Sequence, residues 1–244
     1  MALTEEQLNN LPVMDDNIKA VAGKDTLLLV AQSSDPTEWL LFGGQRNNPL
    51  SRKAESIDAT SKDSGNYSDK LPGMLSWTMS YDGLYVLNSD AYDIVDNRYT
   101  NRKPVYIRQE YPDGSYRTGW ASITQLDEEH NYNGVSTLKM TLEGKGAISD
   151  VQKLSAVPNI ASTSITFSTT SAKDASITVT PGDAFVRAVS TSDGDVLVQN
   201  VDYTYANGTL TIKKEYLQNK KAAFDLKVQL TADKSVTVKA TVSA

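Results

Sequence analysis

The stretch Leu75-Ser76-Trp77-Thr78-Met79-Ser80-Tyr81 alternates apolar and polar side chains without a break. A period of two belongs to an extended strand, which turns successive side chains to opposite faces, so this segment reads as a half-buried strand of an antiparallel sheet. Leu138-Lys139-Met140-Thr141-Leu142 repeats the pattern. Further strands are expected over residues 25–32, 37–42, 52–62, 105–111 and 116–126, and Pro112-Asp113-Gly114 supplies the turn chemistry for a hairpin between the last two. Residues 89–98 break the alternation: Ala91, Ile94, Val95 and Arg98 fall at helical spacing. Ser89 can cap the exposed N–H groups of that helix, Asp90 and Asp93 suit the positive end of its dipole, and Arg98 suits the other.

Residues 43–73 hold few apolar side chains and several turn signals, Gly43-Gly44, Asn47-Asn48-Pro49 and Asp63-Ser64-Gly65-Asn66. They read as a long loop of the functional or mobile kind, in which a strand-like piece from Ala54 to Thr60 extends as a hairpin beyond the body of the domain. Past Pro158 the pattern sharpens again. Phe224, Leu226, Val228 and Leu230 alternate with polar residues, as do Val236, Val238, Ala240 and Val242. With turns at Pro181-Gly182, Asp193-Gly194 and Asn207-Gly208, this part predicts about seven short strands and an immunoglobulin-like sandwich. The fold class expected for the whole chain is mainly β.

Composition separates the same two parts. Residues 1–150 carry 14 basic and 22 acidic side chains, a balance of −8, against 10 and 8 in residues 151–244. All three tryptophans and nine of the twelve tyrosines lie in the first part. The boundary is expected between residues 154 and 155. The net charge of −6 and pI near 4.9 disfavour a surface that grips nucleic acid, and the absence of cysteine removes disulfides and thiol chemistry. The longest apolar run, Leu27 to Ala31, is far short of the roughly 20 residues of a membrane-spanning helix, so no membrane partner is expected. The first 22 residues show neither a basic start nor an apolar stretch, so no secretory signal is read there and synthesis in the cytoplasm is expected.

Catalytic constellations are scarce. The single histidine, His130, follows Asp127-Glu128-Glu129 in a polar connection and reads as a solvated loop residue rather than a general base. Those three acids could in principle form the carboxylate pair of a glycoside hydrolase, but consecutive acids on a turn ordinarily serve solvation. Asp193-Gly194-Asp195 lacks the 12-residue spacing of a helix-loop-helix calcium site, and no phosphate- or dinucleotide-binding glycine motif occurs. Trp39, Trp77 and Trp120 read as core residues ahead of sugar platforms. No catalytic residue, metal or cofactor is expected.

The stretch Leu50-Ser51-Arg52-Lys53-Ala54-Glu55-Ser56-Ile57-Asp58-Ala59-Thr60-Ser61-Lys62-Asp63-Ser64-Gly65-Asn66-Tyr67, followed by Leu71-Pro72-Gly73 and Ser76-Trp77-Thr78-Met79-Ser80, resembles the major tail protein (tail tube) family of long-tailed bacteriophages. Gly23-Lys24-Asp25 before the first strand and the single helix after Tyr81-Asp82-Gly83 strengthen the likeness, which covers roughly residues 15–150. The resemblance implies a β-sandwich or barrel flanked by one short helix. It also implies homo-hexameric rings whose inner sheets join into one β-barrel, stacked into a virion tail tube through which DNA passes without specific binding.

The same resemblance implies that the 43–73 loop and the N-terminal arm, residues 1–22, reach neighbouring rings. Candidate inter-ring residues are Arg46, Arg52, Lys53, Glu55, Asp58, Lys62, Asp63 and Tyr67. Its further implied partners are a tape-measure protein and tail terminator and tip proteins. Residues 202–217, in the second part, resemble Ig-like modules appended to bacterial surface enzymes, which implies an outward decoration, passive or weakly binding host-surface glycans. On this reading, removing residues 157–244 leaves tube formation intact. The competing readings are a carbohydrate-binding surface protein that uses the Ig-like part, and a glycoside hydrolase.

Overall fold

The computed structural model describes residues 23–243 apart from 34–37, 88, 169, 172 and 233. The expected N-terminal arm lies outside the described residues. Eight strands build the first unit: β1 (Leu27–Ala31), β2 (Trp39–Leu41), β3 (Gln45–Asn47), β4 (Leu50–Asp58), β5 (Lys70–Leu84), β6 (Val105–Glu110), β7 (Tyr116–Glu129) and β8 (Thr137–Gly144), with one helix, α1 (Asp90–Thr100), between β5 and β6. They form one antiparallel sheet in the order β2-β1-β6-β7-β8-β5-β3, with β4 also paired to β5.

This sheet curls around a single core. Leu28 and Val30 of β1, Met79 and Tyr81 of β5, Ile107 of β6 and Leu142 of β8 meet there, lidded by Ala91 and Val95 of α1. The curl brings β3 back towards β1, where the Gln45 side chain exchanges two hydrogen bonds of 2.8 Å with the backbone of Leu28. β7 is long enough to serve both halves of the resulting sandwich. Its first part, Tyr116–Ala121, pairs with β6, and its second part, Ala121–Glu129, pairs with β8.

The expected local signals hold. Ser89 Oγ accepts from the Tyr92 N–H at the start of α1, which runs two residues beyond the expected end. The β6–β7 turn closes with Tyr111 N–H to Ser115 O, Asp113 accepting from Ser115, and Gly114 at φ +81°. The largest difference concerns residues 43–73. The expected hairpin is present and longer than expected: β3, β4, a short 3-10 turn (Lys62–Ser64) and the start of β5 occupy most of this segment. The poverty of apolar residues there reflects strands exposed on both faces, not missing secondary structure. Asp127–Glu129, expected on a turn, are the last residues of β7.

The second unit is a sandwich of two sheets. One has the order β10-β17-β16-β12-β13, from β10 (Ser164–Ser168), β12 (Val186–Thr191), β13 (Val196–Leu197), β16 (Phe224–Leu230) and β17 (Ser235–Ser243). The other has the order β14-β15-β11-β9, from β9 (Asn159–Ile160), β11 (Ala175–Thr180), β14 (Tyr203–Ala206) and β15 (Thr209–Ile212). A short helix that the sequence pattern did not announce, α2 (Lys214–Gln218), buries Leu217 between them.

Candidate functional site

The face of the first sheet that turns away from the core has two different halves. Across β5, β8 and the second part of β7 it carries rows such as Thr78–Glu143–Ser122, Ser80–Thr141–Gln125 and Asp82–Lys139–Asp127, with Glu129 beside Thr137. β4 adds Ser51 and Lys53 opposite Thr78 and Ser76. All these side chains are polar, and four acids (Asp82, Asp127, Glu129, Glu143) stand against two lysines (Lys53, Lys139). The two flanks of this polar sheet are open among the described residues. β4 pairs only with β5, and β6 stops at the level of Ala121, leaving Ser122–Glu129 without a strand on that side.

The other half, on β1, β2, β6 and the first part of β7, is covered by the second sandwich. Leu29 and Trp39 are buried in the same cluster as Phe185, Leu210 and Val228, with Leu27, Leu41 and Tyr106 packed against it. An ion cluster seals the contact. Arg108 donates to Glu110 (Nη2–Oε2 2.9 Å) and to the Asp183 carbonyl (3.1 Å), and its guanidinium lies 3.8 Å from the centroid of the Tyr116 ring. Arg187, from the second unit, reaches Glu110 at 3.6 Å. The Arg108 and Glu110 side chains are almost wholly buried. Burial pushes the Glu110 carboxyl up, and the two guanidinium groups act against that shift. Ser155, in the connecting segment, hydrogen-bonds the Asp183 carboxylate.

The two faces therefore lie on opposite sides of one core, one polar with open edges and one capped by a second domain. Residues 20–150 match the family model described as phage tail tube protein. The chain belongs to the phage tail tube protein family. It is a structural protein of the virion tail. Residues 160–243 match a second family model, carbohydrate binding domain X2.

Among solved structures, the tail of an empty gene transfer agent particle is similar, with 24% identity over 53% of this chain and 98% of that one, and a TM-score of 0.49. The SPP1 tail tube is similar at 13% identity over 55% and 81%, with a TM-score of 0.48. A tri-modular endo-β-1,4-glucanase from Bacillus licheniformis shows 14% identity over 53% and 35%, with a TM-score of 0.36. A search of curated proteins finds no match.

In this tail tube protein, seven of the eight residues expected at ring contacts sit on one hairpin. Arg52, Lys53, Glu55 and Asp58 are exposed on β4, Lys62 and Asp63 lie in the 3-10 turn at its tip, and Tyr67 is 85% exposed just beyond. Arg46 is exposed on β3. Asp58 and Lys70 pair across the hairpin at 2.6 Å, which holds the Asp58 carboxyl down at about 2.

The chemistry weighed from sequence falls elsewhere. His130 contacts Ser136 (2.9 Å) and Glu128 (3.2 Å) at the β7–β8 turn, and Glu128 also accepts from the Tyr92 hydroxyl, which together tie α1 to the sheet. Among the described residues no group of three or more His, Asp or Glu side chains is placed to hold a metal. Trp77 is buried, donating to Gly146 O at 2.9 Å with its ring against Gly144, where a Cβ would come within 2.3 Å. Trp39 is buried under the second domain, whereas Trp120 is 48% exposed and packs on Tyr106 at 5.0 Å.

The sequence reading missed Arg108, Glu110 and Arg187. In a period-two strand they look like ordinary outward polar residues. The signal that could have found the covered face is the unbroken apolar run Leu27–Ala31, because a strand with only one buried face alternates.

Proposed function

We propose that the polar sheet β4-β5-β8-β7 lines the lumen of the tail tube, and that rings close when the open β4 edge of one copy pairs with the open β7 edge of the next. The observation that carries this reading is the presence of two long open edges on opposite flanks of one polar sheet. An open edge is an aggregation hazard in a monomer and is normally blunted. Two complementary edges related by a rotation instead give a closed ring of identical head-to-tail contacts. Because every pairing in the unit is antiparallel, β4 and the neighbouring β7 also meet antiparallel, and the joined sheets make one barrel. Six copies per ring is the number that the family likeness implies.

An acid-rich polar lining repels phosphate, so DNA moves through it without being held. The role requires no catalytic residue. A tape-measure protein in the lumen and terminator and tip proteins at the tube ends are the partners that this role calls for. The tube domain is residues 1–154 and the outer domain residues 155–244. The outer domain sits on the far side of the core from the lining, so it projects from the tube wall. Its match to a carbohydrate-binding family supports weak glycan contact as a second reading. Against that stands the placement of its aromatic rings: Phe167, Phe185, Tyr203 and Tyr205 are buried, and Tyr216 and Phe224 pack on the same cluster.

The absence of native cysteine makes a cross-linking scan clean. Cysteines at Ser51, Lys53 or Glu55 paired with cysteines at Ser122, Thr124 or Asp127 should give, under oxidation of assembled tubes, a ladder of covalent oligomers ending at six. Tubes that form normally but yield no cross-link at any pair would overturn the edge assignment.

A further inference from the structure

A cavity of about 970 Å³ opens at the end of the tube domain from which the β4–β5 hairpin projects. Leu50, Ala54, Leu75 and Ile148 supply apolar walls, and Arg52, Lys53 and Arg117 outnumber the one acid, Asp150. Leu75 is 84% exposed there, an unusual cost for a leucine on a strand with no partner on that face. At the opposite end of the same sheet stands the β7–β8 turn. The direction of the chain places it there: β5 runs from the hairpin end to Leu84, which pairs with Thr137, so residues 130–136 cap the far end. The strand from Leu75 to Leu84 separates the cavity from that turn by about 30 Å. That turn, closed by Gly134 N–H to Asn131 O, presents Tyr132 with its whole side chain exposed and Val135 at 61%. Asp127, Glu128 and Glu129 lead into it.

We infer that in a stack of rings the β7–β8 turn of one copy enters the end cavity of a copy in the adjacent ring, with Tyr132 seated among Leu50, Ala54, Leu75 and Ile148. The inference rests on the lumen reading, which sets the strands along the tube axis and so brings opposite ends of the sheet together between rings. Three properties match. An exposed aromatic ring meets an exposed apolar wall; the acids beside the turn meet Arg52, Lys53 and Arg117; and the two surfaces lie at opposite ends, as a repeating head-to-tail stack requires. Tyrosine suits this role because it buries a large rigid area at low entropic cost. The stacking contact is thereby shared between the hairpin and a second, shorter element.

The test uses the full chain under conditions in which the wild type forms tubes. Tyr132→Glu changes a fully exposed residue, so the subunit still folds. It should leave rings visible by negative-stain microscopy while lowering sedimentable tube at least tenfold. A double variant, Tyr132→Cys with Leu75→Cys, should form disulfide-linked subunits in tubes, where neither single variant does. Tubes of normal yield and length from Tyr132→Glu would overturn the inference and leave the lumen reading standing. So would loss of stacking on deletion of residues 1–22 with no effect of Tyr132→Glu, which would make the N-terminal arm the occupant. Failure of the wild type to form either rings or tubes would overturn the lumen reading and this inference together.

Discussion

One sheet face meets two fates in this molecule. On β1, β2 and β6 it is sealed under the outer domain, apolar but for the buried Arg108–Glu110 pair; on β4, β5 and β8 it is polar and bare. The strands do not differ in geometry, since all pair antiparallel and β7 passes through both halves. What differs is the side chain at each outward position: Leu29, Trp39, Tyr106 and Arg108 on one side of the core, Ser80, Thr141 and Asp82 on the other. A tube wall needs this asymmetry, with one face wetted by the channel and the other free to carry an attached domain. The covered half also revises the status of the outer domain. It shares a hydrophobic cluster with the tube domain and is not tethered as a separate bead.

That revision predicts the largest effect. Removing residues 157–244 uncovers Leu29, Trp39 and Tyr106 and strips the Arg108–Glu110 pair of its cover, so the truncated chain should be insoluble or aggregate instead of forming tubes. A soluble, assembly-competent fragment, measured by sedimentation and microscopy, would restore the view of a passive decoration. Next comes Glu110→Ala. It leaves two guanidinium groups facing each other out of water and should cost about 3–5 kcal/mol in denaturant unfolding. A loss under about 1 kcal/mol would mean that the contact is open to solvent.

Leu28→Ala and Leu29→Ala sharpen the comparison further. The two side chains point to opposite faces of β1, and both are fully buried, so each should cost about 2–5 kcal/mol. If only Leu28→Ala is costly, the outer domain does not cover β1. On the bare half the expectation reverses. Asp82→Asn with Glu143→Gln should change stability by less than about 0.5 kcal/mol and leave tubes intact. The corresponding lysine variants should make the tubes retain DNA at low salt in a binding assay, and no retention would argue that this face is not the lining. The smallest effect belongs to the hairpin. Lys70 lowers the Asp58 carboxyl from an ordinary 3.8 to about 2, so the pair supports the hairpin above about pH 4 and its contribution is lost as pH falls through about 2. A carboxyl titration by NMR reads this directly, and a midpoint near 3.8 would show the pair to be absent in solution.

Much of this architecture is legible in the amino-acid order. Alternation places Leu75–Tyr81 and Leu138–Leu142 on strands, because period two follows from the backbone and is insensitive to context. Ser89 marks the start of α1, and Pro112-Asp113-Gly114 marks the β6–β7 turn, because caps and turns are local chemistry. Residues 43–73 are harder to read: Arg52, Glu55 and Asp58 lie on a strand exposed on both faces, and without a buried face the hydrophobic signal that marks a strand disappears. The site is legible only as a region. Seven of the eight expected contact residues fall on that hairpin, whereas Tyr132 and the cavity floor come from segments far apart in the chain.

The amino-acid order alone decides which residues of each strand share a face, and that the chain has an acidic part followed by a slightly basic one. It does not decide which neighbour covers a face. Arg108 and Glu110 occupy the same strand parity as solvent-facing residues, and only the docking of residues 183–187 turns them into a buried ion cluster. The open edge of β7 likewise emerges only once β6 is seen to begin at Val105, opposite Ala121, and so to leave Ser122–Glu129 unpaired on that side. Strand periodicity is a property of a few consecutive residues, whereas coverage depends on contacts between segments far apart in the chain. For that reason the surfaces proposed for the assembly of this tail tube protein emerge only from its tertiary structure.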